Sequence, residues 1–437
     1  MRLRAVDVAT AVGGELVGPD VTVDCASIDS RTLVAGQLFV PVFAERDGHE
    51  FIAAALDAGA PAYLTSRTPE GATAVRVDDT AAALWELGVA ARARVSDLVV
   101  GITGSVGKTT VKDLVAGGLA AQFRTHATQA SFNNELGVPL TLLATPDGAE
   151  VLVLELGARH PGDIARLRQL TSPTIGVITS IGTAHAEHLG GIEGVAIEKG
   201  SLIEGLPGDG YAVLNDMDCG REMRSRTAAT VVSFGSDSGD VRGILVDRDS
   251  ELRPTVRIES PWGSGVITLA VRGDHQAVNA AAAVAVAVCA GVSLESAMAG
   301  VASASGSAGR TEFWRAPSGL RVLDDSYNAN PASVAAALRN LAKVDAPRRV
   351  AVLGEMAELG EGSLEAHRRI ALLADSLGIE VVAVGGAPYA GTPVGSLDDA
   401  LELIEGLAPD SVVLIKASRN VGLDRLATCL RNGVGTR

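Results

Sequence analysis

From about Val95 to the C-terminus the chain repeats one pattern: a short, continuous apolar run, a turn rich in Gly, Ser or Asp, then apolar residues at helical spacing. LVVGIT leads into a helix from Lys108, EVLVLEL into PGDIARLRQL, and TIGVITSI into a helix around Lys199. Beyond Arg310 the alternation restarts: LRVLDDS, a helix after Pro331, RRVAVLG, a helix from Ser363, EVVAVGG, a helix near 397, SVVLIKA and a last helix. Strands that are apolar throughout are buried on both faces, and the helices between them are the crossovers that parallel neighbours require. The pattern predicts an α/β fold with parallel sheets covered by helices, the second of them doubly wound.

A chain of 437 residues exceeds the size at which one hydrophobic core keeps growing, so several domains are expected. Residues 1–82 hold shorter strand-like runs (QLFVPVF, PAYLTS, AVRV) and the helical stretch EFIAAALDAGA, and read as a small α/β module. Between 211 and 272 the runs YAVLN, TVVSF, TVRIE and VITLAV read as a strand-rich extension of the central domain, followed by a long helix from Gln276. The longest apolar run, Ala280–Ala290, has eleven residues where a membrane-spanning helix needs about 20, and reads as a buried helix. SASGSAG at 303–309 is the linker candidate. The expected domains are 1–82, 83–308 and 309–437.

A formal net charge of −15 argues against a general nucleic-acid binder, whose affinity rests on a basic surface. Small anions stay open, because a nest of backbone N–H groups binds phosphate on an acidic protein. MRLRAVDVATAVGGE lacks the continuous apolar core of a signal peptide. Cys25, Cys219, Cys289 and Cys429 show no metal-ligand spacing and fit a reducing cytoplasm, so no membrane insertion and a cytoplasmic location are expected. Of 37 basic residues only five are lysines, at 108, 112, 199, 343 and 416, which marks each as a position where an ammonium is preferred to a guanidinium.

The strongest local signal is VVGITGSVGKTT, a strand, a Gly-rich turn and a helix. Thr103, Gly104, Ser105, Val106, Gly107, Lys108, Thr109 and Thr110 form a loop whose N–H groups face phosphates. Lys108 would bridge the outer phosphates and Thr109 would bind magnesium. The usual spacing calls for Gly at 102, where Ile102 stands between Gly101 and Gly104. Glu155, near the end of the strand-like run EVLVLEL and followed by Gly157, places a carboxylate at the carboxyl edge of a parallel sheet, a second magnesium ligand. TSIGTAHAEHLGG brings His185, Glu187 and His188 within four residues, and reads either as a functional cluster or as a solvated turn. Taken alone, Lys199 reads as a stem on apolar surface with a solvated head.

TGSVGKTT, FNNELGVPLTLL, LELGARHPGDI, IGTAHAEHLGG followed by EKGSL, GDHQAVNAAAAVA, GRTE, DDSYNANPAS, VLGEMAELG and IKASR resemble, in this order, the Mur ligases. The N-terminal IDSRTLVAGQLFVPVFAERDGHEFI is similar to that family's nucleotide-sugar domain, so the resemblance spans nearly the whole chain. It implies three domains: a small α/β UDP-sugar domain, a central P-loop ATPase-like parallel sheet and a C-terminal Rossmann-like domain. DDSYNANP and FNNELGVP resemble the members that join D-alanyl-D-alanine to UDP-N-acetylmuramoyl-tripeptide (UDP-MurNAc-tripeptide). The implied reaction uses ATP to make an acyl phosphate of the tripeptide, which the dipeptide amine attacks. Both steps build negative charge near the γ-phosphate, so positioned cations should supply much of the catalysis.

The resemblance also implies roles. Two Mg2+ ions are expected, with Thr109 and Glu155 on the phosphate side and His185 on the second ion. Lys199 matches a lysine that is carbamylated and whose new carboxylate orients magnesium, a chemistry open to an amine and closed to a guanidinium. Asn279, Arg310 and Asp325 are expected to hold ATP, Arg310 by reaching the phosphates. Asn133 and Asn134 match active-site asparagines, Tyr327, Asn328 and Asn330 the dipeptide side, and Ser30, Arg31, Asp47, Gly48 and His49 the UDP-sugar positions. Asp325 has an alternative reading as a helix N-terminal charge before Pro331. A monomer is expected.

The departures are Ser180 to Glu187 (SIGTAHAE, where N-I-G-P-A-H-L-E is usual), Ala417 in place of Gly in KGSR, and Ala130 and Ser131 where Gly and Asn are expected. They leave open a paralogue with another acceptor or amine. A nucleotide-binding partner that has lost ligation, and a P-loop kinase or ATPase, are the readings from other classes. Substrate-dependent phosphate release with an amide product discriminates them.

Overall fold

The computed structural model describes residues 1–95, 98–129, 131–182, 186–216 and 220–433. The chain forms two compact units, Met1–Gly101 with Phe123–Ala158 and Gly162–Ile175, and Ile102–Gln122 with Arg159–Pro161 and Gly176–Arg437.

In the first unit the small module is a five-stranded sheet in the spatial order Glu15–Val17, Thr73–Arg76, Ala62–Thr65, Leu38–Phe39, Ala26–Ser27. The first pair is antiparallel and the others are parallel. QLFVPVF forms only a two-residue strand, and around it Phe39, Ala55, Ala60, Tyr63 and Ala74 close a small core. Thr80–Arg92, for which the sequence carries no stated expectation, is a helix capped by Asp79, whose side chain accepts from Ala81 N and Ala82 N. Thr125–Ala127 and Val151–Glu155 pair in parallel. The helix Gly137–Leu143 is buried at every residue, as its composition of Val, Pro, Leu and Thr allows.

In the second unit the predicted helix from Lys108 is Lys108–Ala120, packed on Gln276–Cys289 and Leu294–Ser303. Gln276–Cys289 carries most of the Ala-rich run and is buried along nearly its whole length, the outcome expected of a run too short for a membrane. Among the described residues no helix is long and apolar enough to cross one. Tyr211–Asn215, Thr230–Gly235 and Val241–Arg248 run parallel, and Pro254–Ser260 and Gly263–Thr268 complete an antiparallel meander. Val241–Arg248 is a further strand without a continuous apolar run: VRGILVDR mixes apolar and charged residues, as a strand exposed along part of its length does.

The C-terminal sheet runs Glu312–Arg315, Arg321–Asp324, Val412–Lys416, Arg349–Leu353, Glu380–Val384, Thr392–Val394. All its pairs are parallel except the first, an antiparallel edge. Two apolar cores lie against it, one including Leu323, Val334, Leu338 and Leu414, the other including Val322, Val352, Ile404, Ile415 and Leu426. The linker candidate is not a free tether: Ser307 donates through both N and Oγ to Asp113 Oδ2 on the helix Lys108–Ala120, at 2.9 and 2.7 Å.

Candidate active site

The strand Val99–Thr103 is buried at each position and delivers the chain into the phosphate-loop sequence. Gly104 sits at φ +152°, and a Cβ there would run into Thr179. Gly107, at φ +82°, turns the chain into the helix Lys108–Ala120. The loop is braced from beneath: Val106 N donates to Ser180 Oγ (2.9 Å), Thr179 Oγ1 to Val106 O (2.5 Å), and Gly182 N to Ser105 Oγ (2.8 Å). Thr179 and Ser180 were not among the expected site residues, since a polar pair after an apolar strand has no signal of its own. Lys108 Nζ donates to Gly104 O at 2.7 Å, so its ammonium lies over its own loop. Thr103 is buried with Oγ1 lacking a partner among the described residues, and Asn279 lies beside Gly107 while its Nδ2 donates to Gln276 Oε1.

Arg310 Nη2 donates to Thr109 Oγ1 at 3.2 Å, and its guanidinium lies 4.2 Å over the Tyr327 ring. A cation therefore stands at the start of the helix that carries Lys108. Arg419 approaches the same ring at 5.5 Å. Asp325 is clamped: Lys416 Nζ donates to Oδ2 at 2.5 Å, and Thr311 N donates to Oδ1 at 3.1 Å. The helix Pro331–Ala342 has Asn330 as its cap and no acidic residue in its first turn, so Asp325 stands apart from that helix start. Asn330 caps the helix Pro331–Ala342, accepting from Ser333 N in a reciprocal capping box. Asn328 is exposed, with its carbonyl accepting from Lys416 Nζ at 2.8 Å.

Lys199 corrects its plain reading as a stem with a solvated head, for it is 1% exposed. Burial, assisted by the charge of Lys108, pushes its ammonium down to about 7, against a smaller opposing effect of Glu198. A buried amine with a large neutral fraction near neutral pH is what capture of carbon dioxide requires. His185 lies outside the described residues. His188 stands near His160, ring centroids 6.1 Å apart.

In the first unit Glu155 ends its strand as expected and is 1% exposed. Asn133 Nδ2 donates to Glu155 Oε1 at 2.7 Å, while Oε2 is buried with no partner among the described residues. A buried carboxylate oxygen left open in this way fits a cation ligand. Asn134, exposed, accepts from Gly137 N through Oδ1 at 2.9 Å and starts the buried helix. Of the expected sugar-side residues, Arg31 forms a two-point ion pair with Asp29, and Ser30 lies next to it, half-buried. His49 is buried, with Nδ1 against Asp47 Oδ1 (2.8 Å) and Nε2 accepting from Ser66 N (3.2 Å). Asp47 also pairs with Arg67, so Asp47, Gly48 and His49 form a braced turn.

Comparison with known proteins gives these groups a context. The "Mur ligase middle domain" profile matches residues 102–287, and "Mur ligase, glutamate ligase domain" matches 309–419. A UDP-N-acetylmuramoyl-tripeptide–D-alanyl-D-alanine ligase of Mycobacterium tuberculosis (strain ATCC 25618 / H37Rv) is 37% identical, covering 92% of this chain and 91% of that one. The enzyme of the same name from Escherichia coli (strain K12) is 34% identical over 96% of both. A crystal structure of MurF from Acinetobacter baumannii superposes with a TM-score of 0.85 at 30% identity, over 99% of each chain. MurF ligase from Thermotoga maritima in complex with ADP matches at 0.79 and 28%, over 93% of this chain and 97% of that one. With likeness of this degree running almost end to end, the chain belongs to the Mur ligase family, in its MurF branch.

Proposed function

We propose that this protein is an ATP-dependent amide ligase that adds D-alanyl-D-alanine to UDP-MurNAc-tripeptide in peptidoglycan precursor synthesis. The observation that carries the reading is Arg310 on Thr109 at the head of a braced phosphate loop, within a chain that matches MurF relatives along its length. Transfer of the γ-phosphoryl group to the tripeptide carboxylate spreads charge over equatorial oxygens. The loop N–H groups, Lys108 and Arg310 are the groups of this chain suited to stabilise that charge.

Magnesium, when bound, would neutralise the nucleotide phosphates. Thr109 and Glu155 are the proposed ligands of one ion, with His185 and carbamylated Lys199 proposed for a second. The open Oε2 of Glu155 and the depressed Lys199 amine support this set. Asn133 orients Glu155 through its amide, so its role is positioning the ligand. Asn279 and Asp325 are proposed on the nucleotide, Tyr327, Asn328 and Asn330 toward the dipeptide, and Asn134 in the active site. The UDP-sugar is proposed for the Ser30–Arg31 turn and the Asp47–His49 turn, His49 acting by holding the turn.

A monomeric cytoplasmic enzyme completes the reading, in keeping with free thiols at Cys25, Cys289 and Cys429. The test is phosphate release with ATP, magnesium, UDP-MurNAc-tripeptide and D-alanyl-D-alanine, with mass spectrometry of the product and omission of each substrate. A pentapeptide that requires both substrates is expected. ATP binding with no amide from either a diaminopimelate or a lysine tripeptide would overturn the proposal in favour of a different acceptor or amine, or of a non-ligating partner.

A further inference from the structure

Thr311 has φ +56°, a left-handed backbone that a β-branched residue rarely adopts. It is buried, and it lies between Arg310 and the first strand of the C-terminal sheet, Glu312–Arg315. Strain of this kind persists only where the surroundings over-determine it. Here they do. Thr311 donates to Asp325 Oδ1 through N at 3.1 Å, and Thr311 Oγ1 lies 3.4 Å from the same oxygen. Lys416 Nζ fixes the other carboxylate oxygen of Asp325 at 2.5 Å and reaches the carbonyls of Asp325 and Asn328 at 3.3 and 2.8 Å.

The residues before Thr311 are held as well. Tyr327 N donates to Gly309 O at 3.2 Å, and Ser307 is tied to Asp113. Arg310 is the residue between these anchors, its guanidinium against the Tyr327 ring and its Nη2 on Thr109 Oγ1. Thr311 shares a peptide unit with Arg310, so its backbone well bears on the direction in which the Arg310 side chain leaves the chain.

We infer that Thr311 is a positioning residue for the phosphoryl-transfer step: its left-handed backbone, clamped on the Asp325–Lys416 pair, sets the direction in which Arg310 reaches Thr109. This rests on the ligase reading, in which Arg310 serves the phosphates. It gives the Asp325–Lys416 pair a task apart from nucleotide contact, and it makes an alcohol side chain at 311 useful as a second link to Asp325.

The test is a double-mutant cycle on the full chain, read as kcat and KM of substrate-dependent phosphate release and, separately, as ATP affinity by titration calorimetry. Thr311→Gly removes the side-chain link and opens other backbone wells. It should lower kcat about tenfold, with the KM for UDP-MurNAc-tripeptide unchanged and the melting temperature not reduced. Thr311→Asn tolerates the left-handed well and keeps a donor, and should recover most of that loss, whereas Thr311→Val should not. In an Arg310→Ala background Thr311→Gly should change kcat and ATP affinity by less than about twofold, since the group it positions is gone.

An equal loss in both backgrounds, unchanged kcat in Thr311→Gly, or Thr311→Asn no better than Thr311→Val would each overturn the inference. If Thr311→Gly fails to fold, the Asn and Val pair decides. Wild-type protein that binds ATP but forms no amide would overturn the ligase reading alone. The calorimetric cycle then still decides the role of Thr311, coupling to Arg310 supporting it and additivity refuting it.

Discussion

Asn133 donates its side-chain amide to one oxygen of Glu155 at 2.7 Å, and the other oxygen is buried with no partner among the described residues. The pair is a carboxylate with one side fixed and one side available, which is how a protein aims a hard oxygen ligand. Asn133→Ala should therefore weaken magnesium binding more than it weakens the fold. The magnesium concentration for half-maximal phosphate release should rise about 10- to 100-fold. Stability should fall by about 1–3 kcal/mol, from a buried carboxylate left without a donor. A magnesium titration with parallel urea melts checks both, and an unchanged magnesium optimum would contradict the ligand role of Glu155.

Lys199 carries a stability cost that function would explain. Its folded pKa, about 7, lies below the ordinary 10.5, so the folded state binds fewer protons than the unfolded state between those values. Stability contributed by this group therefore rises with pH across that window, and the penalty is complete below about pH 7. In protein freed of bicarbonate, Lys199→Met should be more stable than wild type, on the order of 3–5 kcal/mol at pH 6, with the gain shrinking toward pH 10. Its ligase activity should be nearly abolished. Thermal melts at pH 6, 8 and 10 give the answer, and a gain that grew with pH would show the sign to be wrong.

Gly104 has no room for a side chain, with φ +152° and Thr179 where a Cβ would stand. Gly104→Ala should cost about 2 kcal/mol or more in stability and lower ATP affinity at least about tenfold, because the loop must move off its brace. Thr179→Ser keeps the hydroxyl that donates to Val106 O and removes only a methyl. It should bind ATP within about threefold of wild type, a change under about 1 kcal/mol. Titration calorimetry distinguishes the two.

Asp325 and Lys416 form a buried ion pair, 8% and 1% exposed. Asp325→Asn or Lys416→Met alone strands a charge and should destabilise by about 3–5 kcal/mol. The double variant should lose less than the sum of the two while remaining inactive. Chemical denaturation of all four proteins measures the coupling, and strict additivity would mean that the pair does not act as a unit.

The βα order, the buried Ala-rich helix, the phosphate loop and Glu155 at its strand end were legible in the sequence, because period, length and turn residues are local properties. Lys416 was flagged by composition, as one of five lysines in an arginine-rich chain. What each polar residue does was a different matter. Asn133, in the sequence only a match to an active-site asparagine, holds Glu155; Asn330, expected on the dipeptide side, also caps a helix; Ser307, in the linker candidate, is bound to Asp113. Each of those bonds except the cap joins residues far apart in the chain, so no spacing rule announces it.

The sequence by itself determined which segments become strands, helices and phosphate loop, since hydrophobic periodicity and backbone preference are written residue by residue. Only the tertiary structure decided the protonation and aim of the site groups. Lys199 is pushed toward the neutral amine because folding takes it out of water beside Lys108, and Thr311 stays left-handed because Asp325, fourteen residues on, holds its N–H. Desolvation and clamped geometry exist only once distant parts of the chain have met.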